Sequence, residues 1–180
     1  MRYFGLLIYA LSFLLFSCNN KPDVKTYLSK IDSLSLSLEE SASAYKDIDT
    51  AEIRQYYVEI ETQINELKDY NNIINTSPVI SYNKTKNNFN DFLKTYPVLM
   101  HELKYTKAQL SDLKHDIENR NLNQDNLSLY MDQERQSVYV LKLKMDHYSQ
   151  QLKLGMINYN RLNPEIKTLT DSLYRKNEIY

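Results

Sequence analysis

The feature that most constrains this chain is a row of mainly apolar positions in its last third, separated by alternating three- and four-residue steps. Only Glu134 and Gly155 interrupt the apolar character of the row. Sustained over more than five heptads, such a rhythm predicts a long α-helix with a narrow buried seam, as in coiled-coil packing. The positions are Met131, Glu134, Val138, Leu141, Met145, Tyr148, Leu152, Gly155, Tyr159, Leu162, Ile166, Leu169 and Leu173.

Two earlier segments have the same spacing. The middle one comprises Tyr82, Thr85, Phe89, Phe92, Tyr96, Leu99, Leu103, Thr106, Leu110, Leu113 and Ile117. The first falls into two parts, Tyr27, Leu28, Ile31, Leu34, Leu38, Ala42 and Tyr45, then Ile53, Tyr57, Ile60, Ile64 and Leu67. The frame shifts between these parts at residues 47–50, where Asp49 and Glu52 resemble a capping box and predict a break. Residues 33–38 alternate Ser and Leu, but the helical spacing on both sides favours helix over strand there.

Short polar connections separate three arms, at about 22–71, 78–119 and 125–178. Helices joined by short connections are antiparallel neighbours. The predicted fold is therefore all-α, an elongated antiparallel three-helix bundle with coiled-coil-like packing and arms of roughly 60 to 75 Å. Its core is one residue deep along its length, which suits a scaffold or a binding surface better than a pocket.

The prolines mark predicted boundaries and irregularities. Ser77 and Pro78 give a capping residue followed by proline, which is typical of a helix start. Asn163 and Pro164 repeat this pattern, so we expect the last helix to stop and restart there. Pro97 has no capping residue directly before it and is predicted to lie inside the second helix as a kink.

The first eighteen residues form an apolar leader. Arg2 and the amino terminus supply positive charge, and an apolar run of about fourteen residues follows, as in an export signal. At 1.5 Å per residue the run spans about 20 Å, which is short of the ~30 Å hydrocarbon core of a bilayer.

Leu15-Phe16-Ser17-Cys18 ends this leader and resembles the lipobox of bacterial lipoprotein precursors, in which Leu and a small residue precede an invariant Cys. The resemblance implies a signal peptide at residues 1–17, removed before Cys18. It further implies that Cys18 is lipidated and that residues 18–21 form a short tether. Cys18 is the only cysteine in the chain. An uncleaved short anchor, or a secretory signal cut elsewhere, are the alternatives.

Composition excludes several classes of protein. Lys and Arg number 22 against 23 Asp and Glu, so no broad basic surface for nucleic acid is expected. Two glycines in 180 residues exclude glycine-rich phosphate loops. The absence of a second cysteine excludes disulfides within the chain and sites built from several cysteines.

No catalytic, cofactor-binding or metal-binding site is predicted. Asp112, His115 and Asp116 lie three and four residues apart and could offer ligands to a divalent ion, but a solvated polar helix face explains them better. His101 lies about 21 Å from His115 along a helix, which is too far to share a metal. None of the common hydrolase or metal-site motifs occurs.

Several further residues have two interpretations. Seven tyrosines fall on the seams, and a recognition surface would have to use the others, Tyr56, Tyr70, Tyr105, Tyr130, Tyr139, Tyr174 and Tyr180. Glu134 either pairs with a facing Lys and specifies register, or lies at the frayed and hydrated start of its helix. Gly155 marks either a close helix approach or a tolerated weak point.

The sequence favours a membrane-anchored cell-envelope lipoprotein with a structural or protein-interaction role. In its leader and its Lys, Asn, Ile and Tyr usage the chain resembles small helical lipoproteins of AT-rich bacteria with two membranes, a resemblance that implies no activity. The expected contacts are a membrane, through Cys18, and either an envelope protein or a second copy. The outer membrane, on its periplasmic side, is the expected location. A binding or chaperone-like module that accepts an apolar segment is the alternative, and an enzyme the remote one.

Overall fold

The structure, a computed structural model, describes residues 23–177, apart from the side chains of residues 124, 125, 176 and 177. This part of the chain is all-α and contains no strand. Its five helices are α1 (Val24–Ser43), α2 (Thr50–Leu67), α3 (Asn71–Ile74), α4 (Ser77–Glu118) and α5 (Gln124–Asn177). The predicted signal peptide, the lipidated Cys18 and the tether lie outside the described residues. Among the helices of residues 23–177, none has the length and apolar character needed to cross a bilayer.

Aspartate caps begin the first two helices. Asp23 accepts a hydrogen bond from the Thr26 backbone N–H at 2.8 Å, and this bond lowers the pKa of the Asp23 carboxyl. Asp49 accepts from the backbone N–H groups of Ala51 and Glu52, at 2.8 and 3.3 Å. The break predicted at residues 47–50 is confirmed, because α1 ends at Ser43 and Asp49 caps a new helix.

The boundaries of α4 differ in detail from the prediction. Thr76, rather than Ser77, is the residue before the helix, and Pro78 lies within the first turn. Asn71–Ile74 form a short helix where only a turn was expected. At the other end, Arg120 has a left-handed φ of 57°, and the Asn121 N–H donates to the Asp116 carbonyl oxygen at 2.9 Å. This geometry closes α4 in the manner of a Schellman motif.

Both internal prolines lie within continuous helices. Helix α4 contains Pro97, as expected, and α5 passes through Pro164. The predicted stop and restart at Asn163-Pro164 is therefore wrong. Leu162 and Ile166 are each 1% exposed on either side of the proline, and the Asn163 side chain bonds to α2 and α4. These tertiary contacts outweigh the single backbone hydrogen bond that Pro164 removes.

Helix α4 packs along α5, and α1 and α2 pack against both of these long helices. Residue numbers fall along α4 as they rise along α1, α2 and α5, so α4 runs opposite to the other three. The contacts that show this are Asp32–Lys114, Glu39–Lys107, Glu61–Lys86, Glu102–Lys144, Ser37–Lys142 and Tyr159–Glu59. The ion pairs among them are partly exposed, so each contributes at most about 1 kcal/mol.

The predicted seams form most of the core, to which Val79 and Leu127 add. Every seam position of the three segments is buried or half-buried, and the most enclosed side chains include Ile31, Leu38, Ile60, Phe92, Leu110 and Met145. The periodic positions of all three segments therefore face the interior, as the spacing predicts.

Tyr45 fixes the segment between α1 and α2. Its side chain is 2% exposed, and its hydroxyl donates a hydrogen bond to the Met145 carbonyl oxygen. Its ring centroid lies 6.2 Å from those of Phe92 and Tyr96. Burial raises the pKa of Tyr45 to about 12, so the hydroxyl remains a donor at neutral pH. The contacts of Tyr45 thus attach the segment between α1 and α2 to both α4 and α5.

Gly155 is buried where α4 and α5 approach closely. A Cβ atom built on it would lie 2.8 Å from Phe89 Cε1 and 3.2 Å from Cδ1. Phe89 is fully buried, and its ring contacts those of Tyr56 and Tyr159 at centroid distances of 6.2 Å. Of the two interpretations of Gly155, close approach is therefore the one that the structure supports.

We expect Gly155→Ala to lower the free energy of unfolding by about 1 to 2 kcal/mol, although alanine improves helix propensity by about 1 kcal/mol. The cause is overpacking against Phe89. Urea denaturation measures the change, and Phe89→Leu supplies a background in which the penalty becomes smaller. Unchanged or increased stability of Gly155→Ala would contradict the close approach.

Candidate functional site

The predicted polar face on α4 contains Asp112, His115 and Asp116. Asp112 and His115 are exposed, and the Asn119 side-chain amide donates to the His115 carbonyl oxygen at 2.8 Å. Across residues 23–177, no group of three or more His, Cys, Asp or Glu side chains is placed to hold a metal ion.

The tyrosines outside the seams have several different environments. Tyr105, Tyr130, Tyr139 and Tyr174 are exposed, and Tyr180 lies outside the described residues. Tyr56 is half-buried and does not stand free on the surface. Its ring packs against that of Tyr159, at a centroid distance of 4.3 Å. Tyr70 and Tyr174 line a small cleft of about 70 Å³ together with Glu66. A hydrogen bond to Glu66 raises the pKa of Tyr174.

The most extensive side-chain arrangement is a polar cluster between α2, α4 and α5, here called the polar layer: Glu59, Gln63, Tyr82, Tyr159 and Asn163. Asn163 is central to it. Its Oδ1 accepts from the Tyr82 hydroxyl at 2.6 Å and from Gln63 Nε2 at 3.2 Å. Its Nδ2 donates to Glu59 Oε1 and to the Tyr159 hydroxyl oxygen, both at 3.1 Å. The Tyr159 hydroxyl in turn donates to Glu59 Oε2.

Burial keeps both tyrosines of the polar layer protonated. It is the main cause that raises the pKa of Tyr82 and of Tyr159, and the Glu59 carboxylate adds to both shifts. The two hydroxyls therefore act as hydrogen-bond donors at neutral pH, not as nucleophiles or bases. Glu59 accepts from Tyr159, Asn163 and Gln63. Gln63 Oε1 is buried without a partner among the described residues. This arrangement can fix how three helices meet, and it presents no reactive group.

Sequence reasoning did not predict the polar layer. Asn163 was assigned to a helix cap, and Tyr82 and Tyr159 only to the seams. The available signal was the pair of seam tyrosines, since a buried phenol needs a hydrogen-bond partner. The tyrosines donate to Asn163 and Glu59, and both of these acceptors lie off the seam positions of their helices.

Glu134 lies on the α5 seam between Met131 and Val138, which are 6% and 2% exposed. Its side chain is half-buried, and its Oε2 atom is buried without a partner among residues 23–177. Burial raises the pKa of this carboxyl. Pairing with a facing Lys, one of the two interpretations of Glu134, does not occur in the described part of the chain. Since the helix begins at Gln124, Glu134 is also beyond its first two turns.

A shallow groove with a volume of about 450 Å³ lies between α1 and α5. It is lined by serines, charged residues and the apolar Leu34 and Met131. Within it, Arg135 and Asp132 pair with each other at 3.1 Å. Searches of protein-family models, of curated proteins and of solved structures gave no match to this chain. Its function must therefore be inferred from its own residues.

We expect Tyr159→Phe to lower the free energy of unfolding by about 2 kcal/mol, because Glu59 loses a donor in a partly buried site. The matched control is Tyr139→Phe on the same helix, since Tyr139 is 57% exposed. The control should change stability by less than about 0.5 kcal/mol. Chemical denaturation of both variants measures this difference, and equal effects would contradict a structural role for the polar layer.

We expect Glu134→Leu to raise the free energy of unfolding by about 1 kcal/mol at pH 7, because it replaces a half-buried, unpaired carboxylate by an apolar side chain. A pKa raised in the folded state means that ionisation of Glu134 destabilises the fold as pH rises. The gain should therefore shrink on acidification, as the native carboxyl takes up its proton. Denaturation across pH measures this, with exposed Gln133→Leu as control. A gain that grows on acidification would contradict it.

Proposed function

We propose that this chain is a lipid-anchored protein of the bacterial cell envelope, in which Cys18 carries the lipid and the helical body has a structural or protein-interaction role. The carrying observation is Leu15-Phe16-Ser17-Cys18, a lipobox-like sequence that ends an apolar leader and contains the only cysteine. The proposed location is the periplasmic side of the outer membrane. No catalysis and no cofactor are part of the proposal.

Lipid chemistry supports Cys18 as the anchor. Each buried methylene contributes about 0.8 kcal/mol, and stable attachment needs more than one acyl chain. A cysteine of the lipoprotein type carries two or three chains. Residues 19–22 would then separate the lipid from Asp23, the cap of α1. This tether is so short that it holds the amino-terminal end of α1 near the bilayer surface.

For the body we infer a three-helix bundle with coiled-coil-like packing. In this arrangement α1 and α2 together form one arm, α4 the second and α5 the third. Support comes from the seams, whose positions are buried or half-buried in all three segments. The alternation of helix directions and the short connections between the long helices also support it.

The same burial weighs against the alternative of a chaperone-like module. Such a module must open an apolar channel between its helices to accept its client. Here the side chains that could form that channel fill the core, including Ile60, Phe92 and Met145, each fully buried. The polar groups that converge in the polar layer bond to one another. A rigid body that presents its outer surface is the role that these observations favour.

Metabolic labelling with a palmitate analogue, followed by membrane fractionation, tests the anchor in a bacterial host with two membranes. We expect the full chain to incorporate label and to fractionate with membranes, and its mass to correspond to a chain that begins at an acylated Cys18. Cys18→Ala should lose the label to background. The matched control Ser12→Ala changes the leader outside the lipobox and should retain it.

An unlabelled wild-type chain, or a Cys18→Ala variant that keeps its label, would overturn the anchor. Fractionation on a density gradient separates inner from outer membranes and tests the proposed location independently of acylation.

A further inference from the structure

Helix α5 has a second row of residues on the face opposite its core seam. Val140, Leu143, His147, Gln150, Leu154 and Ile157 follow alternating three- and four-residue steps and are all exposed. We call this row the outer seam. Its four apolar side chains are 39%, 51%, 51% and 54% exposed in chain order. Regular spacing of large apolar side chains on one helix face is typical of a surface that packs against another helix.

The polarity of the outer seam is symmetric about its centre. Around the midpoint between residues 148 and 149, the apolar Val140 and Ile157 lie at equal distances. The same holds for Leu143 and Leu154, and the polar His147 and Gln150 flank the midpoint. An antiparallel copy of the same face would therefore place apolar against apolar at both ends and polar against polar in the middle. This self-complementarity is the condition for a two-fold symmetric interface.

Charges beside the outer seam select the antiparallel orientation. Asp146 and Lys153 lie on the same flank of the seam, one heptad apart, and both are exposed. Neither forms an ion pair with any other residue within 23–177. In an antiparallel pair, Asp146 comes beside Lys153 of the second copy, and symmetry repeats the contact. In a parallel pair Asp146 would face Gln151 and Lys153 would face Asn158, so no charge pair would form.

We propose that the outer seam of α5 binds the outer seam of a second copy of this chain in an antiparallel, two-fold symmetric dimer. The inference rests on the interaction role proposed above and names the partner. The contact extends over residues 140–157, about 26 Å of helix. An interface of this length is modest, and attachment of both chains to one membrane would favour it by raising their effective concentration.

The dimer has a consequence for orientation. Val24 and Leu127 line the same groove, so the amino-terminal end of the body lies beside the start of α5. In the antiparallel pair these ends lie on opposite sides of the dyad, about 65 Å apart along the helix axis. Because each tether is short, two anchors in one bilayer would hold the dimer along the membrane surface instead of upright.

Crosslinking of two differently tagged full-length chains in host membranes tests the dimer. One chain carries Tyr139→Cys and the other Asn160→Cys, on the flank that holds Asp146 and Lys153, and a short bismaleimide joins the thiols. In the antiparallel dimer, position 139 lies beside position 160 of the other copy, whereas two copies of position 139 are about 28 Å apart along the axis. We expect the mixed product and neither same-tag product. As a control, two tagged chains without these substitutions reveal any crosslinked product that forms through Cys18.

Three variants test whether the outer seam and its flanking charges form the interface. Because the altered residues are exposed, each variant should keep the melting temperature of the unaltered chain, and this is measured first. Leu143→Glu in both chains should abolish the mixed product. Asp146→Lys should lower its yield roughly five-fold at low salt, and Asp146→Lys combined with Lys153→Asp should restore it.

Same-tag products would overturn the antiparallel arrangement, and the absence of every product beyond the Cys18 control would overturn the dimer. Because crosslinking reports on the α5 face and labelling reports on Cys18, failure of this inference can be told apart from failure of the proposed anchor.

Discussion

Mutual burial of three long apolar seams holds this molecule together. The core that they form gains stability from length, since α4 has 42 residues and α5 has 54. It also has a weakness, because a slip of one heptad would still place apolar side chains against apolar side chains. Correct alignment must therefore come from features that occur once. Three of these lie along α5: the Tyr45 hydroxyl on Met145, Phe89 against Gly155, and the polar layer around Asn163.

These three features fix the alignment through different physical interactions. The contact of Phe89 with Gly155 is steric, since only glycine leaves room for the ring there. The Tyr45 bond and the polar layer depend instead on the cost of burying polar groups without partners. Any shift of α5 against its neighbours would break the bond of the Tyr159 hydroxyl to Glu59 and the bonds of the Asn163 amide to Glu59, Gln63 and Tyr82. Polar groups inside this core therefore contribute to the choice of one alignment more than to its net stability.

Periodicity and capping were sufficient to predict the helical class, the seams and the break before α2, because each depends on residues close in sequence. Asp49 shows this well, since its partners are two and three residues away. Asn163 shows the limit. An Asn-Pro pair favours a helix start, and what overrides that local preference here is the contact of Asn163 with Tyr82, 81 residues away, and with Glu59, 104 residues away. Spacing along one helix carries no information about those partners, so the polar layer could not be predicted either.

The polar groups of the polar layer bond to one another, so contacts with a partner fall to the ends and outer faces of the body. In the polar layer the carboxylate, both phenols and the Asn163 amide bond to one another, and the phenols stay protonated. Helix α5 is then notable for carrying apolar rows on two faces, a continuous one inside and one outside that is interrupted by His147 and Gln150. A fully apolar outer row would favour aggregation and several alternative alignments, whereas a polar centre between two apolar pairs favours a single register. The interruption therefore supports a specific contact over a general tendency to associate, and a chain confined to a membrane surface needs only a weak contact of that kind to pair.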